Sequence, residues 1–497
     1  MKKKCIIIGS GLGGLSCGVI LARNGYDVTI LEQHYQIGGC LQCFSRKGVK
    51  FETGMHFIGS AAPGQTLNKL MRYLNLGDLK LSQLDTTAYD IVSLGGDKFK
   101  FANGREAFIE QMSGYFPKEK DNLVMYYDII ERIAQASSLH SLRYAENDVV
   151  INTFYQTISI NEVMDSLFND ELLKNVLVGN LPLYAAEKDK TPFSQHAFIM
   201  DFYNQSAYRV VGGSDHIATS LSDTVKKYGG AIYTNSKVTK IVCDEHKAIG
   251  VEINNNEFIP ADLVIADIHP ARVMEMLDTK LIRPAFRNRI NGLKNTTAGF
   301  SLYLKFKDSK VPYLNSNYYS FINGSPWGCE DYTPSSWPMG YLYMHFCNEV
   351  EPRFASSGVI LSYMNMSDVE QWIGTTIGHR GEDYELFKKK KAEILINQVD
   401  KEFPRFKDNI DSYFTATPLT YFDYTGTQDG SMYGVAKDIT LGAACRVPHK
   451  TKVPNLLLTG QNINSHGMLG VLVGSIVTCS ELLTAETIYQ QIIEANK

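Results

Sequence analysis

Residues 4–33, KCIIIGSGLGGLSCGVILARNGYDVTILEQ, carry the strongest structural signal in this chain of 497 residues. An apolar run from Cys5 to Ile8 enters the glycine turn GSGLGG, and a segment of helical character follows from Leu15 to Asn24. A second apolar run, Asp27 to Leu31, ends on Glu32. Strand, glycine turn, helix, strand and acidic residue in this order form the dinucleotide-binding fingerprint in the context that it requires. The segment therefore predicts a parallel α/β unit that binds a dinucleotide.

Each glycine of the turn has its own physical role. Gly9 lets the chain turn tightly, Gly11 lets the backbone approach a pyrophosphate, and Gly14 lets the helix pack closely on its strand. The phosphates then lie at a helix N-terminus, where free N–H groups and the helix dipole favour negative charge. Glu32 can accept hydrogen bonds from both hydroxyls of an adenosine ribose, and its charge repels a 2′-phosphate. The alternative is a glycine-rich turn that holds no ligand.

Length and composition indicate a globular protein with two domains. A chain of 497 residues is too long for one simple core, and interleaving of the domains is allowed. The composition is 44% hydrophobic and 21% charged, and the net charge of −4 gives no reason to expect nucleic acid. Nine cysteines, an odd number scattered along the chain, suit a reducing compartment rather than a disulfide framework.

Neither a targeting segment nor a membrane span is expected, and a cytoplasmic location is predicted. Lys2–Lys4 before an apolar run imitates a signal peptide, but Gly9 cuts the run short. No uninterrupted apolar stretch reaches the length of about 18 residues that a span needs. A helix predicted over Glu382–Val399 contains the basic run Lys388–Lys391. A solvated helix face is its default interpretation, and peripheral membrane contact is the alternative.

Two motifs after the fingerprint connect the chain to a known family. The pair Gly38-Gly39, followed by Cys40, lets the backbone run beside an extended dinucleotide, and residues 53–59 read TGMHFIG. These features resemble the flavoprotein group that includes phytoene desaturases, carotenoid isomerases and retinol saturases. Cys40 and Cys43 form a CxxC, but no second pair or histidine cluster completes a zinc site. No metal site is predicted.

Between about residues 76 and 204 the pattern changes to that of an inserted second domain. A hairpin is predicted over Tyr89–Phe101, around Gly95-Gly96, and helices follow it. The predicted helices are Arg105–Tyr115, Glu119–Ser138 and Ile160–Asn169.

The nucleotide-binding pattern resumes near Tyr208. The predicted elements are a helix over Ile217–Tyr228 and strands over Gly229–Thr234, Ser236–Ile241, Ala248–Ile253, Phe258–Ile259 and Ala261–Asp267. The resemblance implies that the last strand returns to the nucleotide-binding sheet and that the backbone of Val238 meets the adenine. An ordinary β-meander is the alternative.

Residues 291–439 are predicted to return to the second domain. The alternation in Phe300–Phe306 predicts a half-buried strand. Residues 313–346 are dense in aromatic side chains, which would either line a long apolar tunnel or form core. These aromatics are Tyr318, Tyr319, Phe321, Trp327, Tyr332, Trp337, Tyr341 and Tyr343.

Two segments near the C-terminus strengthen the resemblance. Residues 417–426, TPLTYFDYTG, and residues 458–471, LTGQNINSHGMLGV, look most similar to segments of retinol saturases. In the fold that this implies, a helix that begins near Gly470-Val471 points its N-terminus at the flavin ring, where it favours the anionic reduced form. Gln461 stands where the family often has an acid, and it can still bond the ribityl chain.

The resemblance implies FAD as the cofactor and an α/β fold. A Rossmann-like FAD-binding domain of the amine-oxidase (GR2) type is expected to interleave with a mixed-sheet plus helical substrate domain. We assign residues 1–75, 205–290 and 440–497 to the first domain, and residues 76–204 and 291–439 to the second. The predicted FAD-binding residues are Gly9, Ser10, Gly11, Leu12, Gly13, Gly14, Glu32, Gln33, Gly38, Gly39, Cys40, Val238, Gly460, Gln461, Gly470 and Val471.

One strand–GxGxxG–helix unit is present, whereas flavoenzymes with a dedicated NAD(P)H domain have two. Electrons must therefore be exchanged with something that reaches the flavin directly: the substrate, NAD(P)H, a quinone or oxygen. The resemblance implies hydride transfer between flavin N5 and a carbon–carbon double bond of an apolar polyene or isoprenoid, with saturation as the leading hypothesis. The alternatives are a carotenoid desaturase or isomerase, a flavin amine oxidase, and a non-catalytic prenyl-lipid carrier of the Rab escort type.

The candidate catalytic residues are His56, Tyr421, Tyr424 and His466. Each lies in a motif that the resemblance places near the flavin, and a histidine or tyrosine can deliver or accept the second proton. For His56 the alternative is a hydrogen bond to backbone or phosphate.

Overall fold

The computed structural model describes residues 2–137, 153–254, 256–350 and 352–497 of the chain. Ser138, the last residue of the predicted helix Glu119–Ser138, lies outside the described residues. The described strands are β1 Lys4–Ile8, β2 Asp27–Leu31, β3 Cys43–Arg46, β4 Val49–Glu52, β5 Ile58–Gly59, β6 Leu81–Gln83, β7 Asp90–Leu94, β8 Asp97–Phe101, β9 Ala207–Val210, β10 Ala231–Tyr233, β11 Val238–Cys243, β12 Ala248–Ile253, β13 Glu257–Pro260, β14 Leu263–Ala266, β15 Gly299–Phe306, β16 Asn317–Phe321, β17 Gly340–Phe346, β18 Ser357–Tyr363, β19 Ile410–Ala416 and β20 Leu456–Leu458. The described α-helices are α1 Leu12–Arg23, α2 Thr66–Tyr73, α3 Arg105–Tyr115, α4 Lys120–Ala136, α5 Ile160–Leu167, α6 Glu171–Leu177, α7 Phe193–Gln205, α8 Asp215–Lys227, α9 Pro270–Met276, α10 Pro284–Asn291, α11 Glu382–Glu402, α12 Pro418–Thr425, α13 Gly467–Leu483 and α14 Ala485–Glu494.

A parallel sheet of five strands, which we call the nucleotide sheet, follows the order β10-β2-β1-β14-β20. Its central strands are apolar along their length because they are covered on both faces, and every residue of β14 is buried. The fingerprint is confirmed as β1, α1 and β2 in the predicted order. The predicted return of Ala261–Asp267 to this sheet is also observed, since β14 pairs with β1.

Between β10 and β14 the chain forms a separate antiparallel sheet, β11-β12-β13. The meander and the return to the nucleotide sheet therefore both occur, in succession. The predicted hairpin at Gly95-Gly96 is also present, because β7 and β8 pair antiparallel on either side of these glycines.

A second sheet, which we call the large sheet, contains seven strands in the order β19-β15-β18-β17-β16-β7-β8. Only β7 and β16 are parallel neighbours among its described pairs. Helix α11 covers one face, and α3 to α7 pack on the other. The prediction of a half-buried strand at Phe300–Phe306 is wrong, because both faces of β15 are covered and only Lys305 in it is partly exposed.

Six of the eight aromatics named in segment 313–346 are buried in the core, and Trp327 and Tyr332 are partly buried against it. Tyr318, Tyr341 and Tyr343 pack with apolar residues of α11 on the outer face of the large sheet. In the part of the chain that the structure describes, none of the eight aromatics named above lines the cavity between the nucleotide sheet and the large sheet. The tunnel interpretation of this segment is therefore wrong, and the apolar wall of the cavity has another origin.

The basic run in α11 is only partly a solvated face. Lys389 and Lys390 are exposed, but Lys391 is buried with its ammonium 4.3 Å from the centre of the Trp337 ring. The interpretation of this run as a solvated face is therefore wrong for Lys391, whose stem packs against the protein while its charge lies over an aromatic ring. No helix in the described ranges has the length and apolar character needed to cross a membrane.

A small sheet, β5-β9-β6, lies between the core of the large sheet and that of the nucleotide sheet, since Ala207 of β9 packs in the first and Val210 in the second. Strand β9 pairs with β5 on one side and with β6 on the other, and its Arg209 lies opposite Ser82 of β6. The nucleotide sheet takes strands from distant parts of the chain, but the predicted domain boundaries stay a prediction.

Candidate active site

A cavity of about 720 Å³ extends from the carboxyl edge of the nucleotide sheet to the inner face of the large sheet. This volume lies within the range of about 300–1,000 Å³ that is typical of ligand and cofactor sites. The carboxyl edge is also where open parallel sheets bind their ligands. The cavity therefore has two ends of different chemistry, which are described in turn.

The nucleotide end is built from glycines that leave no room for side chains. Gly9 adopts a φ of +94°, in the left-handed region, and its N–H donates to the Leu31 carbonyl at 2.9 Å. A Cβ on Gly11 would lie 2.7 Å from an oxygen of Asp267, and one on Gly14 would collide with the Gly9 carbonyl. The backbone is thus free to contact a ligand at the start of α1, as the fingerprint requires.

Glu32 sits at the end of β2, where it lines the cavity although only 8% of the residue is exposed. Its Oε2 accepts hydrogen bonds from the Ser10 N–H at 2.9 Å and from Ser10 Oγ at 2.6 Å. Its Oε1 accepts one from the His34 N–H at 2.8 Å. These bonds fix the carboxylate and leave lone pairs on both oxygens, so it can still accept bonds from ribose hydroxyls.

Most of the predicted cofactor residues line this cavity together. Those at the wall are Gly9, Gly11, Leu12, Gly13, Glu32, Gln33, Gly38, Gly39, Cys40, Val238, Gln461 and Val471. The predicted residues that the cavity wall does not include are Ser10, Gly14, Gly460 and Gly470.

Those four residues act behind the wall. Ser10 holds Glu32, and Gly14 lies under the Gly9 carbonyl. A Cβ on Gly460 would collide with Asp267, and one on Gly470 would lie 2.7 Å from the Ser465 side chain. Small residues at these places let the wall residues approach one another.

Asp267 follows β14 and was missing from the sequence-based site. Its Oδ2 accepts a hydrogen bond from the Gly14 N–H at 2.7 Å, so its carboxyl lies at the N-terminus of α1. Burial raises the pKa of Asp267 to about 7; the Gly14 hydrogen bond opposes this shift and the Glu32 charge adds to it. The sequence signal that could have identified it is its position directly after the predicted strand that returns to the nucleotide sheet, because ligands bind at the carboxyl ends of such strands.

The N-terminus of α13 forms the wall across from the glycine turn. This helix begins at Gly467, three residues before the predicted start near Gly470, and Gly467, Met468 and Val471 line the cavity. The free N–H groups of a helix start favour negative charge on a ligand. The glycine turn, the acid at β2 and this helix start together fit the FAD molecule that the sequence predicts.

The other end of the cavity is apolar. Tyr203 and Phe57 have ring centres 4.9 Å apart, and Leu342 and Leu361 face the cavity from β17 and β18. The apolar wall, which we call the apolar end, consists of Phe57, Leu183, Tyr203, Leu342, Leu361, Met432 and Tyr433. These residues come from separate segments, so no local pattern in the sequence identifies them.

His56 lines the cavity beside a buried glutamate. Its Nδ1 lies 3.7 Å from Glu52 Oε2, and both atoms are buried without a hydrogen-bond partner among the described residues. The His56 carbonyl accepts a hydrogen bond from Arg209 Nη1 at 3.1 Å. Burial raises the pKa of Glu52, and its interactions with His56 and Arg209 act in the opposite direction.

Tyr421 and Tyr424 both line the cavity from α12. The Tyr421 hydroxyl lies 3.0 Å from Ser301 Oγ, and burial raises its pKa to about 12, so it stays protonated at neutral pH. Tyr424 is 38% exposed, and its ring centre lies 4.9 Å from that of His34 near the nucleotide end. Tyr421 is therefore the better placed of the two to act as a proton donor.

His466 is not part of the cavity wall and acts through a neighbour. Its ring centre lies 4.6 Å from that of Tyr433, which is in the apolar end. Burial lowers the pKa of His466 to about 4, and the positive charge of Lys437 contributes in the same direction. A neutral imidazole in this place can orient Tyr433 but does not touch the cavity itself.

The two cysteines of the CxxC pair lie in different surroundings. Cys43 is buried with its sulfur 3.5 Å from Ser214 Oγ, and Cys40 lines the cavity. In the described ranges, no group of three or more His, Cys, Asp or Glu side chains is arranged to hold a metal ion.

Comparison with known proteins gives consistent matches along most of the chain. The sequence profile of a family described as flavin containing amine oxidoreductase matches residues 12–478. The chain is 27% identical to all-trans-retinol 13,14-reductase of Rattus norvegicus, over 99% of this chain and 87% of the relative. It is 22% identical to prolycopene isomerase 2, chloroplastic, of an Oncidium hybrid cultivar, over 97% of this chain and 84% of that protein.

A solved structure shares the fold. An oxidoreductase from Methanosarcina mazei superposes with a TM-score of 0.65 at 16% identity, covering 96% of this chain and all of that chain (100%). Together these matches confirm the predicted family resemblance and the predicted fold class.

Proposed function

The chain belongs to the flavin containing amine oxidoreductase family and is an FAD-dependent oxidoreductase, and we propose that it saturates one carbon–carbon double bond of an apolar polyene or isoprenoid. The observation that carries this proposal is one cavity that joins the glycine turn Gly9–Gly14, which we call the glycine cradle, to the apolar end. The relatives support the substrate class, because one is named a retinol reductase and another a prolycopene isomerase.

The cofactor-binding residues divide by the part of FAD that each would hold. FAD, when bound, supplies hydride transfer to or from carbon at its flavin ring. Glu32 would hold the adenosine ribose and the glycine turn before α1 the pyrophosphate, with Val238 at the adenine. The N-terminus of α13 would lie at the flavin, where its partial positive charge favours the reduced anion.

The apolar end would bind the polyene chain and exclude water. Each CH₂ group moved from water into an apolar site contributes about 0.8 kcal/mol, so affinity should rise with chain length. Leu342 and Leu361 present a flat aliphatic surface from the large sheet, and Tyr203 and Phe57 present aromatic rings. Aromatic and aliphatic walls of this kind suit a conjugated hydrocarbon.

Saturation needs a hydride on one carbon and a proton on the other, and His56 is the proton donor in our proposal. Glu52 would accept a hydrogen bond from Nδ1 after a small rotation, since the atoms are 3.7 Å apart. That bond would fix the ring with its other nitrogen, Nε2, available to the cavity. Tyr421, which stays protonated at neutral pH, is the second candidate for the same proton.

The electron partner and the direction of the reaction are part of the proposal. A dedicated second nucleotide domain is not expected from the sequence, so NAD(P)H, a quinone or oxygen would have to reach the flavin through the same cavity. A carotenoid desaturase or isomerase would use the same cofactor and the same apolar end. Contact with a membrane surface, from which an apolar substrate could enter, also remains a prediction.

A flavin amine oxidase is the second candidate, because the family description names amines. The acids at the described cavity wall argue against it, since each is already engaged. Asp267 accepts from Gly14, Glu275 pairs with Arg272 at 2.8 Å, and Asp423 pairs with Arg380. Together with Glu32, which Ser10 holds, this leaves no free carboxylate in the described wall to receive a substrate ammonium. The intact glycine cradle argues against a non-catalytic prenyl-lipid carrier.

Anaerobic photoreduction of the purified holoprotein tests the proposal. Polyenes, saturated polyenes and amines would be added in parallel, and the flavin absorbance near 450 nm would be followed. We expect an unsaturated polyene to re-oxidise the reduced flavin with formation of its dihydro product. Reduction of the oxidised flavin by a saturated polyene would instead establish a desaturase, and reduction by an amine with formation of peroxide in air would establish an amine oxidase. A polyene that is isomerised without net re-oxidation would establish an isomerase.

A further inference from the structure

The carboxyl of Asp267 lies where the glycine turn is expected to receive the FAD pyrophosphate. Its Oδ2 accepts a hydrogen bond from the Gly14 N–H at 2.7 Å, in the first turn of α1. Positions for a Cβ on Gly11 and Gly13 fall within 2.7 Å and 2.6 Å of its two oxygens. An acidic side chain thus enters the space that the glycines keep open at the start of the helix.

This placement creates a conflict of charge. A pyrophosphate and a carboxylate are both anions, and both are attracted to the same helix N-terminus. Like charges at contact distance in a poorly solvated site cannot both persist without a cation or a shared proton. The conflict is therefore settled by the protonation state of Asp267 or by its displacement.

We propose that Asp267 is protonated when FAD is bound, so that its carboxyl donates a hydrogen bond towards the pyrophosphate and cofactor binding takes up one proton. In this form Oδ2 can keep its bond from Gly14 while the other oxygen carries the proton. The proposal concerns the cofactor alone and does not depend on the identity of the substrate.

Among the described residues around Asp267, no side chain supplies a positive charge that would keep it ionised. Glu32 adds a second negative charge from the end of β2, and Cys40 contributes a thiol whose burial raises its pKa to about 11. The other close neighbours of the Asp267 carboxyl are Gly11, Gly13, Gly14 and Gly460, which carry no side chain. Of the cations that line the cavity, Arg272 pairs with Glu275 at 2.8 Å and Lys237 is exposed.

His269, two residues further along the chain, is also unsuited to compensate the charge. Its Nε2 lies 2.9 Å from Asn295 Oδ1 and its Nδ1 accepts from the Ala271 N–H, and burial lowers its pKa. It is therefore neutral at the pH values at which Asp267 titrates. The burial of Asp267, which raises its pKa to about 7, favours protonation even before FAD binds.

The proposal predicts a specific pH dependence of FAD affinity. Below pH about 7, Asp267 already carries its proton in the apoprotein, so the dissociation constant of FAD should not change with pH. Above this pH the apoprotein loses the proton and must regain it on binding. The dissociation constant should then rise by about tenfold per pH unit, until the pKa of the complex is reached.

Titration of the apoprotein with FAD, followed by the quenching of flavin fluorescence between pH 6 and 8.5, tests this. We expect the wild-type curve to bend near pH 7 and Asp267→Asn to remove the slope, because an amide can donate the same hydrogen bond at every pH. Glu32→Gln is the matched control, which should weaken binding at all pH values and keep the tenfold slope, with the bend at a lower pH because the Glu32 charge helps to raise the pKa of Asp267. A flat wild-type curve, or an equal slope in Asp267→Asn, would overturn the proposal.

Calorimetry on the wild-type protein keeps the proposal testable if Asp267→Asn fails to fold. FAD binding would be measured at pH 6 and pH 8 in two buffers of different ionisation enthalpy, which gives the number of protons taken up. We expect close to one proton at pH 8 and close to none at pH 6. No uptake at pH 8 would show that Asp267 is ionised in the complex or has moved away.

Discussion

Glu52 and His56 lie four residues apart and bring a carboxylate oxygen and an imidazole nitrogen to 3.7 Å at the wall of the cavity. Glu52 ends β4, and the chain then turns so that His56 comes back over it before β5 begins. Both atoms are buried and neither has a hydrogen-bond partner among the described residues. A small rotation that closed this gap would let Glu52 hold the histidine ring in one orientation towards the cavity.

Glu52→Gln should lower kcat by about 10- to 100-fold and leave KM for the polyene nearly unchanged. The amide keeps the shape of the side chain but is a weaker acceptor than a carboxylate, so the hydrogen bond that would orient the His56 ring is weakened. Steady-state measurement of kcat and KM tests both expectations. Glu257→Gln, at an exposed position, is the control. A rise in KM with kcat unchanged would contradict the assigned role of Glu52.

His56→Gln should lower the rate of substrate saturation by at least about 100-fold while FAD stays bound, because general acid catalysis contributes about 10²- to 10⁴-fold. Flavin reduction should be unaffected, so stopped-flow measurement of the oxidative half-reaction separates the two steps. His466→Gln serves as the comparison, and a smaller loss is expected since that ring is not part of the cavity wall and packs against Tyr433, which is. Unchanged turnover in the double variant would remove both histidines from the mechanism.

Gly14→Ala should abolish FAD binding or prevent folding, because a Cβ at this position collides with the Gly9 carbonyl at the centre of the cradle. Bound flavin per protein, from the absorbance ratio after purification, measures the effect. Gly114→Ala is the matched control, since this glycine lies in α3 with nothing within 4 Å of its Cβ position. That substitution should stabilise the protein by about 0.5–1 kcal/mol, because it removes a glycine from a helix.

Because of Asp90, the free energy of unfolding should fall as the pH rises from about 4 to about 7. Burial raises the pKa of this carboxyl to about 7 in the folded state, so the folded protein holds a proton that the unfolded chain has lost. The stability gained at low pH is therefore lost across this window, by at most about 4 kcal/mol.

Asp90→Asn should abolish this loss, and thermal unfolding at pH 5 and pH 8 measures it. The Asn317 side chain, which donates to Asp90 Oδ1 at 2.8 Å, can still donate to an amide oxygen. Asp97→Asn, at the exposed hairpin turn, should show no such pH-dependent difference. If the wild type and Asp90→Asn changed in parallel between the two pH values, Asp90 would have to be ionised in the folded state.

The nucleotide end could be predicted from the sequence because its physics is local. Gly9, Gly11 and Glu32 lie within one strand–turn–helix–strand unit, where spacing fixes geometry. Most residues predicted from it line the cavity together. Asp267 was missed because its carboxyl reaches the turn only through the pairing of β14 with β1, a contact between residues more than 250 positions apart.

The apolar end could not be predicted, since its residues share no local pattern. Leu342 and Leu361 belong to strands buried on both faces, so nothing in their immediate sequence separates a cavity wall from core. For the same reason the alternation in β15 suggested partial exposure that the covering helix α11 removes, and the aromatics of residues 313–346 allowed either a tunnel wall or core. Tertiary contacts, rather than local pattern, decided these cases.

Strand β20 consists of residues 456–458 and completes the nucleotide sheet by pairing with β14. During synthesis on the ribosome, the cradle at the N-terminus is therefore made long before the strand and helix that close it. A nascent chain that has reached residue 450 carries the whole fingerprint but has neither β20 nor α13. Such long-range pairing slows folding and exposes apolar edges while synthesis continues. Cofactor loading should thus be a late, post-translational step, and C-terminally truncated products should be colourless and prone to aggregate.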